Sequence, residues 1–344
     1  MSEFKYILGI ETSCDETSAA VITPDATLSN IISSQMVHLQ FGGVVPELAS
    51  RAHLRKIVPI VNEALEKAGI QLEDLSAIAV THGPGLIGAL LVGLSYAKTL
   101  AMSLNIPFVG VNHMEGHIYG NFMHGEEVET PFLALVVSGG HTQLVLVKKP
   151  LEYKIIGQTV DDAVGEAFDK TAKLLNLPYP GGPEIDRRYS QGNPDFVDFP
   201  RAMMKQGNFD FSYSGLKTAV LNYINEAGEE KVKEHLNDIC ASFQKAAIEV
   251  LVKKTVSAAR QYQVRRIVVA GGVAANRLLR SWLTEEAGKF HLTVNVPEFQ
   301  YCTDNAAMIA RAGLQRLLAG QRSPLHLNAF PSMPLDKPAE AFYG

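Results

Sequence analysis

The sequence predicts an α/β protein built as two similar lobes. Strands alternate with helical segments, the order of elements recurs in the two halves, and glycine turns follow strands in both. Residues 6–23, "YILGIETSCDETSAAVIT", read as an apolar strand, a polar Ser/Asp/Thr turn and a second strand. Residues 132–149, "FLALVVSGGHTQLVLVKK", repeat that order around a Gly-Gly tip, so each stretch is predicted as a β-hairpin. After each come a third strand or loop, a helix, and a strand–glycine loop–helix unit: "LSAIAVTHGPGLIGALLVGLSYAKTLA" in the first half, "VRRIVVAGGVAANRLLRSWLTEEA" in the second. The duplication predicts a cleft between the lobes. One lobe is expected from 1–112 plus 303–344, closed by the C-terminal helix, and the other from 113–302.

The totals agree with two domains, since 344 residues exceed the usual single-domain length of about 100–200. With 47% hydrophobic and 19% charged residues and no low-complexity tract, the chain is globular. The start, "MSEFKYILGI", has no basic region or cleavage site, and the most apolar stretch, "LIGALLVGLSYAKTLAMSL", carries Lys98. A buried helix and a cytoplasmic location are therefore expected. Cys14, Cys240 and Cys302 are too few and too scattered for a disulfide framework or a Cys-rich zinc site. A net charge of −5 gives no global basic excess for nucleic acid. Local basic clusters stand at Arg51, Arg55 and Lys56, at Arg187 and Arg188, at Lys253 and Lys254, and from Arg265 to Arg280.

The glycine turns follow strands. In "THGPGLIG" the strand is expected to end at Thr81, with Pro84 and Gly85 turning the chain into a helix whose first amides can face an anion. In "AGGVAAN", Gly271 and Gly272 let backbone approach a base or sugar, with Asn276 as a polar contact. Several such turns at strand C-terminal ends point to a nucleotide. "DDAVGEAFDKTAKLL" is a predicted helix with its N-cap at Asp161 or Asp162, and Asp162, Glu166 and Asp169 share one face. That face reads as a solvated acidic stripe or as acceptors for sugar hydroxyls. "YPGGPEID" reads as a rigid turn exposing the Gly181 and Gly182 amides, and Asp304 as the N-cap of the last helix.

In "NHMEGHI", His113 and His117 stand four apart, which on a helix places both rings on one face. Spacing alone leaves two readings, half of a tetrahedral metal shell or two incidental histidines. A zinc protease needs Glu immediately after the first His. Here Glu115 is two steps of about 100° away from His113, off the His face, and Gly116 weakens a regular helix.

Taken in order, "GIETSCDET", "GGVVPELASRAH", "GPGLIGALLVG", "NHMEGH", "VSGGHT", "GEAFDKTAKLL", "YPGGP", "FSYSGLKTA", "AGGVAANR" and "CTDNAAMIA" resemble the TsaD family, the tRNA threonylcarbamoyladenosine transferases. The resemblance runs from about Tyr6 to about Gly320. It implies the duplicated fold of the actin, sugar-kinase and Hsp70 ATPase superfamily with a nucleotide cleft between lobes. The implied reaction moves threonylcarbamoyl from threonylcarbamoyl-AMP to N6 of adenosine 37 in tRNAs reading codons that begin with A, releasing AMP. The family's metal ligands match His113, His117 and Asp304, for one Fe2+ or Zn2+. Its adenylate contacts match Val136, Val137, Ser138, Gly139, Gly140, Asp169, Gly182, Asp186 and Asn276, with His141 near the phosphate or metal. Asp15 and Glu16 match acidic positions at the first hairpin tip, with an implied catalytic role. The implied partners are tRNA, a TsaB-like paralogue forming a heterodimer and a TsaE-like ATPase, with residues 33–65 as the expected partner surface.

Two other classes fit parts of the pattern. A small-molecule kinase or ATPase of the same superfamily needs only the glycine loops and the acidic tip. A non-catalytic scaffold of a tRNA-modification complex needs none of the metal residues, which this chain has.

Overall fold

The computed structural model describes residues 4–35, 37–38, 43–124, 128–204 and 207–337. They form two compact units, Met1–Glu129 with Lys149–Tyr153 and Pro297–Gly344, and Thr130–Lys148 with Lys154–Val296.

The first unit holds a five-stranded sheet in the order β3-β2-β1-β4-β5. Strands β1 (Ile7–Glu11) and β2 (Glu16–Ile22) are an antiparallel hairpin, extended by β3 (Thr27–Ser34); β4 (Ala77–Gly83) and β5 (Phe108–Asn112) add in parallel. Every residue of β1, β4 and β5 is buried, as expected of strands covered on both faces. One face carries α1 (Pro46–Ala68) and α2 (Ile87–Leu104), whose Ile57, Val61, Leu90 and Leu94 pack with Leu8, Ile10 and Val80. Pro46 opens α1, where its missing N–H costs nothing, and Gly69, at φ 70°, closes it by donating to the Leu65 and Glu66 carbonyls. The opposite face carries α10 (Ala306–Leu318), seated tightly because a side chain at Gly9 would run into the Ala306 carbonyl.

The second unit repeats this plan. Its sheet runs β10-β9-β6-β7-β8, with β6 (Phe132–Val137) and β7 (Thr142–Lys149) as the hairpin, β8 (Glu152–Gln158) beyond it, and β9 (Arg266–Ala270) and β10 (Thr293–Asn295) parallel to β6. Helix α8 (Leu236–Gln261) is buried along most of its length; α4 (Val164–Leu174), α5 (Gly181–Tyr189), α6 (Ser214–Ala227), α7 (Glu229–Glu234) and α9 (Arg277–Gly288) complete the unit. The duplication expected from sequence is thus a duplication of strand order.

Several local expectations change. Strand β4 runs to Gly83 rather than ending at Thr81, because β5 keeps pairing with it across a register shift. "YPGGPEID" is the start of α5 rather than a simple turn. Helix α4 begins after Ala163 without a side-chain cap. Asp161 instead accepts from the Tyr213 and Ser214 amides at 2.8 and 3.3 Å, serving the start of α6. Asp162 lies outside α4 and shares Lys170 with Glu166, so the three acids are not one stripe. The expected boundary at 112/113 differs as well, since α3 (His113–Tyr119) packs on α10 and belongs to the first unit.

Among the described residues, α2 is the one helix long and apolar enough to cross a membrane by length and composition. Its inner face packs in the first unit's core, while Ile87, Leu91 and Met102 stay exposed. Cys14 and Cys240 are unbridged, and the buried Cys302 Sγ donates to the Glu298 carbonyl at 3.4 Å. The tail from 321 to 337 has no regular element but buries Leu327, Ala329, Met333 and Leu335; residues 338–344 lie outside the described residues.

Candidate metal centre

Helix α3 starts where β5 ends. The Asn112 side chain accepts from the Met114 amide at 2.9 Å, capping the helix, and donates to the Met333 carbonyl at 2.9 Å. Gly116 does not break the helix. A side chain there would meet Ile309 Cδ1 at 2.6 Å, so glycine lets α3 lie close against α10. Glu115 points away from the histidine face, as the spacing requires, into a buried pair with Arg316.

His113 and His117 meet edge to face, with ring centres 4.7 Å apart. Asp304 stands just before α10, whose N-cap is Asn305 rather than Asp304: the Asn305 side chain accepts from Met308 N at 3.0 Å. The Asp304 carboxylate is therefore free to face the histidines. Its Oδ1 lies 3.2 Å from His113 Nε2 and 3.1 Å from His117 Nε2. One ligand atom from each residue falls within 4.8 Å of the others.

Sequence reasoning missed Glu11. It is fully buried at the end of β1, accepts from Ser13 N at 2.5 Å and Thr81 Oγ1 at 2.5 Å, and lies 3.0 Å from His113 Nδ1. A Glu ending an apolar strand was the only sequence signal. Burial would pull the His113 imidazole down, but the Asp304 and Glu11 carboxylates hold it well above its ordinary range. Burial would likewise raise Asp304 and Glu11; His113 lowers both, and Asp304 falls well below the usual carboxylate range. His117 is lowered by burial.

The residues fit a cation. His117 Nε2 is near Asp304 but out of line for a hydrogen bond, and both His117 ring nitrogens are buried without a hydrogen-bond partner. Such a ring is costly unless something takes its lone pair. Two imidazoles and a carboxylate are a suitable three-ligand set for a divalent transition metal.

At the β1–β2 tip, Asp15 and Glu16 are half-buried. Burial, then Asp304 and Asp15, push the Glu16 carboxyl up to about 9. Burial and Asp15 also raise the Cys14 thiol, which keeps it unreactive.

In the second unit, the remaining sequence-predicted residues gather around the C-terminal ends of β6 and β9. Val136 and Val137 have their side chains in the core, so only their backbone is available to a ligand. The β6–β7 tip is pinned by Ser138 N donating to the His141 carbonyl at 2.8 Å, which leaves Gly139 and Gly140 exposed. Gly165 at the start of α4 approaches the Ser138 carbonyl, and Gly271, at φ 91°, approaches that of Val137. Asp169 accepts from Gly181 N at 2.7 Å and also from Gly182, so it caps α5; burial raises its carboxyl. Asp186 accepts from Gln244 Nε2 and Arg277 Nε, each at 2.8 Å. Asn276 caps α9 by accepting from Leu279 N.

A family model described as "TsaD: tRNA N6-adenosine threonylcarbamoyltransferase" matches residues 26–311. The chain belongs to the TsaD family. A tRNA N6-adenosine threonylcarbamoyltransferase of Geobacillus thermodenitrificans is 52% identical over 341 residues, covering 97% of this chain and 98% of that protein. Another, of Syntrophotalea carbinolica, is 53% identical over 333 residues, covering 96% and 97%. Among solved structures, T. kodakarensis HypF is similar with a TM-score of 0.61 at 15% identity, over 92% of this chain and 48% of that one. A ROK hexokinase from Thermus thermophilus gives 0.51 at 13% identity, over 92% and 100%. These distant likenesses establish the fold alone, that of the actin-like ATPases and sugar kinases, as expected for TsaD. TsaD membership makes the chain a transferase that modifies tRNA.

Proposed function

We propose that the chain moves threonylcarbamoyl from threonylcarbamoyl-AMP to N6 of adenosine 37 in tRNAs that read codons beginning with A. N6 bonds to the carbamoyl carbon, the bond from that carbon to the phosphate oxygen breaks, and AMP leaves with the electron pair. N6 gives up one proton. The observation that carries this reading, beside family membership, is the convergence of His113, His117 and Asp304. A kinase or scaffold has no use for that set.

His113, His117 and Asp304 would hold a divalent cation, Fe2+ or Zn2+, supplying Lewis acidity toward a phosphate or acyl oxygen. An aromatic amine is a weak nucleophile, so orientation carries much of the rate. Asp15 and Glu16 at the β1–β2 tip are suited to hold N6; an ionised carboxylate there takes its proton, while Glu16, whose raised carboxyl keeps its own proton near neutral pH, is suited to donate a hydrogen bond. Gly139, Gly140, Gly182 and Gly272 have open space where a side chain would project, so backbone there can lie against the adenylate. Ser138, Asp169, Asp186 and Asn276 fix those loops, and Val136 and Val137 contribute backbone.

The partners in this reading are tRNA, a TsaB-like paralogue and a TsaE-like ATPase, in the cytoplasm. A chain at −5 needs basic surface from elsewhere to hold tRNA. Within residues 33–65, Leu54 and Val58 are exposed beside Arg51, Arg55 and Lys56 on α1, which suits a heterodimer contact. Residues 36 and 39–42 of that segment lie outside the described residues.

The test combines the purified protein with these partners, threonylcarbamoyl-adenylate and unmodified tRNA, followed by nucleoside analysis. Modified adenosine is expected, and its loss in a chelated control and in His113→Ala. No modified adenosine under any partner combination would sink the reading.

A further inference from the structure

We propose that Glu11 is a positioning residue that fixes the ring orientation and tautomer of His113, so that its Nε2 lone pair faces the cation. This rests on the metal reading above. An ionised carboxylate only accepts hydrogen bonds. Glu11 Oε1 takes the Ser13 amide, and Oε2 takes Thr81 Oγ1 and faces His113 Nδ1. The proton on that contact must therefore sit on His113 Nδ1, which leaves Nε2 to face Asp304 Oδ1 at 3.2 Å. A bare Nε2 and a carboxylate oxygen repel at that distance unless a proton or a cation lies between them. The arrangement therefore prepares one site for either.

The contrast with His117 sharpens the assignment. Among the described residues nothing accepts from its Nδ1, so no partner sets its tautomer. Glu11 also ties three elements: it ends β1, it receives Thr81 from β4, and it reaches the first residue of α3. A carboxylate behind a ligating histidine orients the ring and raises its basicity, and losing one costs about 10–100-fold in metal affinity. In Glu11→Gln, an amide nitrogen at the Oε1 position would face the Ser13 N–H, donor against donor. At the Oε2 position it would donate to His113 Nδ1 and move the ring proton to Nε2, blocking the ligand atom.

The experiment titrates metal-free protein with Zn2+ against a chromophoric chelator, for wild type, His117→Ala and Glu11→Gln, with thermal melting of each metal-free form. Wild type is expected to bind, His117→Ala to lose binding, and Glu11→Gln to bind about 10–100-fold more weakly. If wild type shows no His117-dependent binding, the metal reading falls and this inference with it. If wild type binds and Glu11→Gln matches it within twofold, the inference alone is overturned. Should Glu11→Gln not fold, long-range 1H–15N spectra of Zn2+-loaded wild type decide. A proton on His113 Nδ1 supports the assignment, and a proton on Nε2 overturns it.

Discussion

Arg316 Nε lies 2.8 Å from Glu115 Oε2 and 3.1 Å from Oε1, while its Nη2 reaches Oε2 at 2.5 Å. Both residues are buried, and Arg316 Nη1 also donates to Gln321 Oε1 at 3.0 Å. The pair locks α3, which carries the two histidines, to α10, whose first turn follows Asp304. Breaking such a pair leaves an unmatched buried charge, at about 3–5 kcal/mol. Arg316→Met should lose that much stability in urea, and adding Glu115→Gln should recover part of it. A loss below about 1 kcal/mol would show that the pair does not lock the two helices.

Gly271 and Gly272 adjoin in sequence but differ in constraint. At φ 91° and ψ 170°, Gly271 occupies a region open essentially to glycine, and an added side chain would run into the Val137 carbonyl oxygen. Gly271→Ala should cost at least about 2 kcal/mol. Gly272 has nothing within 4 Å and no such backbone constraint, so Gly272→Ala should fall within about 0.5 kcal/mol of wild type. Chemical denaturation of the two variants checks the pair; equal losses would contradict it.

Burial lowers the His82 imidazole to about 4 from 6.5, only partly offset by the Asn328 carbonyl. The unfolded chain then binds the extra proton more tightly than the folded one, so stability rises with pH through this window and is lost as pH falls from about 6.5 toward 4. A shift of this size corresponds to up to about 3 kcal/mol. Thermal melts of metal-free wild type should fall across that range, and His82→Gln should flatten the profile. An unchanged profile would show that other groups dominate acid unfolding.

His113 is held well above its ordinary range, so protons compete with a cation for its Nε2. Zn2+ affinity should rise with pH until His113 deprotonates. Saturating Zn2+ should also raise the melting temperature, since ligand at 100 times its Kd adds about 2.7 kcal/mol. His117→Ala should abolish that gain. A pH-independent affinity would mean that His113 carries no proton when the metal is absent.

The fold was legible because "ILGI", "AIAV", "FLALVV" and "RIVVA" are apolar runs buried in the two sheets, each followed by a polar or glycine turn. The histidine pair was legible as one helix face. Partners distant in sequence were not. Asp161 reads as a local cap, yet the amides it serves are 52 and 53 residues on. Asp304 satisfies the N-cap rule by type, but Asn305 satisfies it too, and only geometry says which of the two is spare. Nothing in the sequence singles out Glu11; the β1–β4 pairing and the start of α3 bring Thr81 and His113 to it.

Both sheets place a hairpin beside two parallel strands in the same order. Each half of the chain therefore offers the same architectural slot, a tip between two antiparallel strands. In one copy that slot is acidic, with Asp15 and Glu16; in the other it is nearly bare backbone, with Gly139 and Gly140. The same hairpin plan thus carries opposite surface chemistry, carboxylates at one tip and open main chain at the other. Exchanging the two tip sequences would ask how far each specialisation resides in the loop and how far in the sheet beneath it.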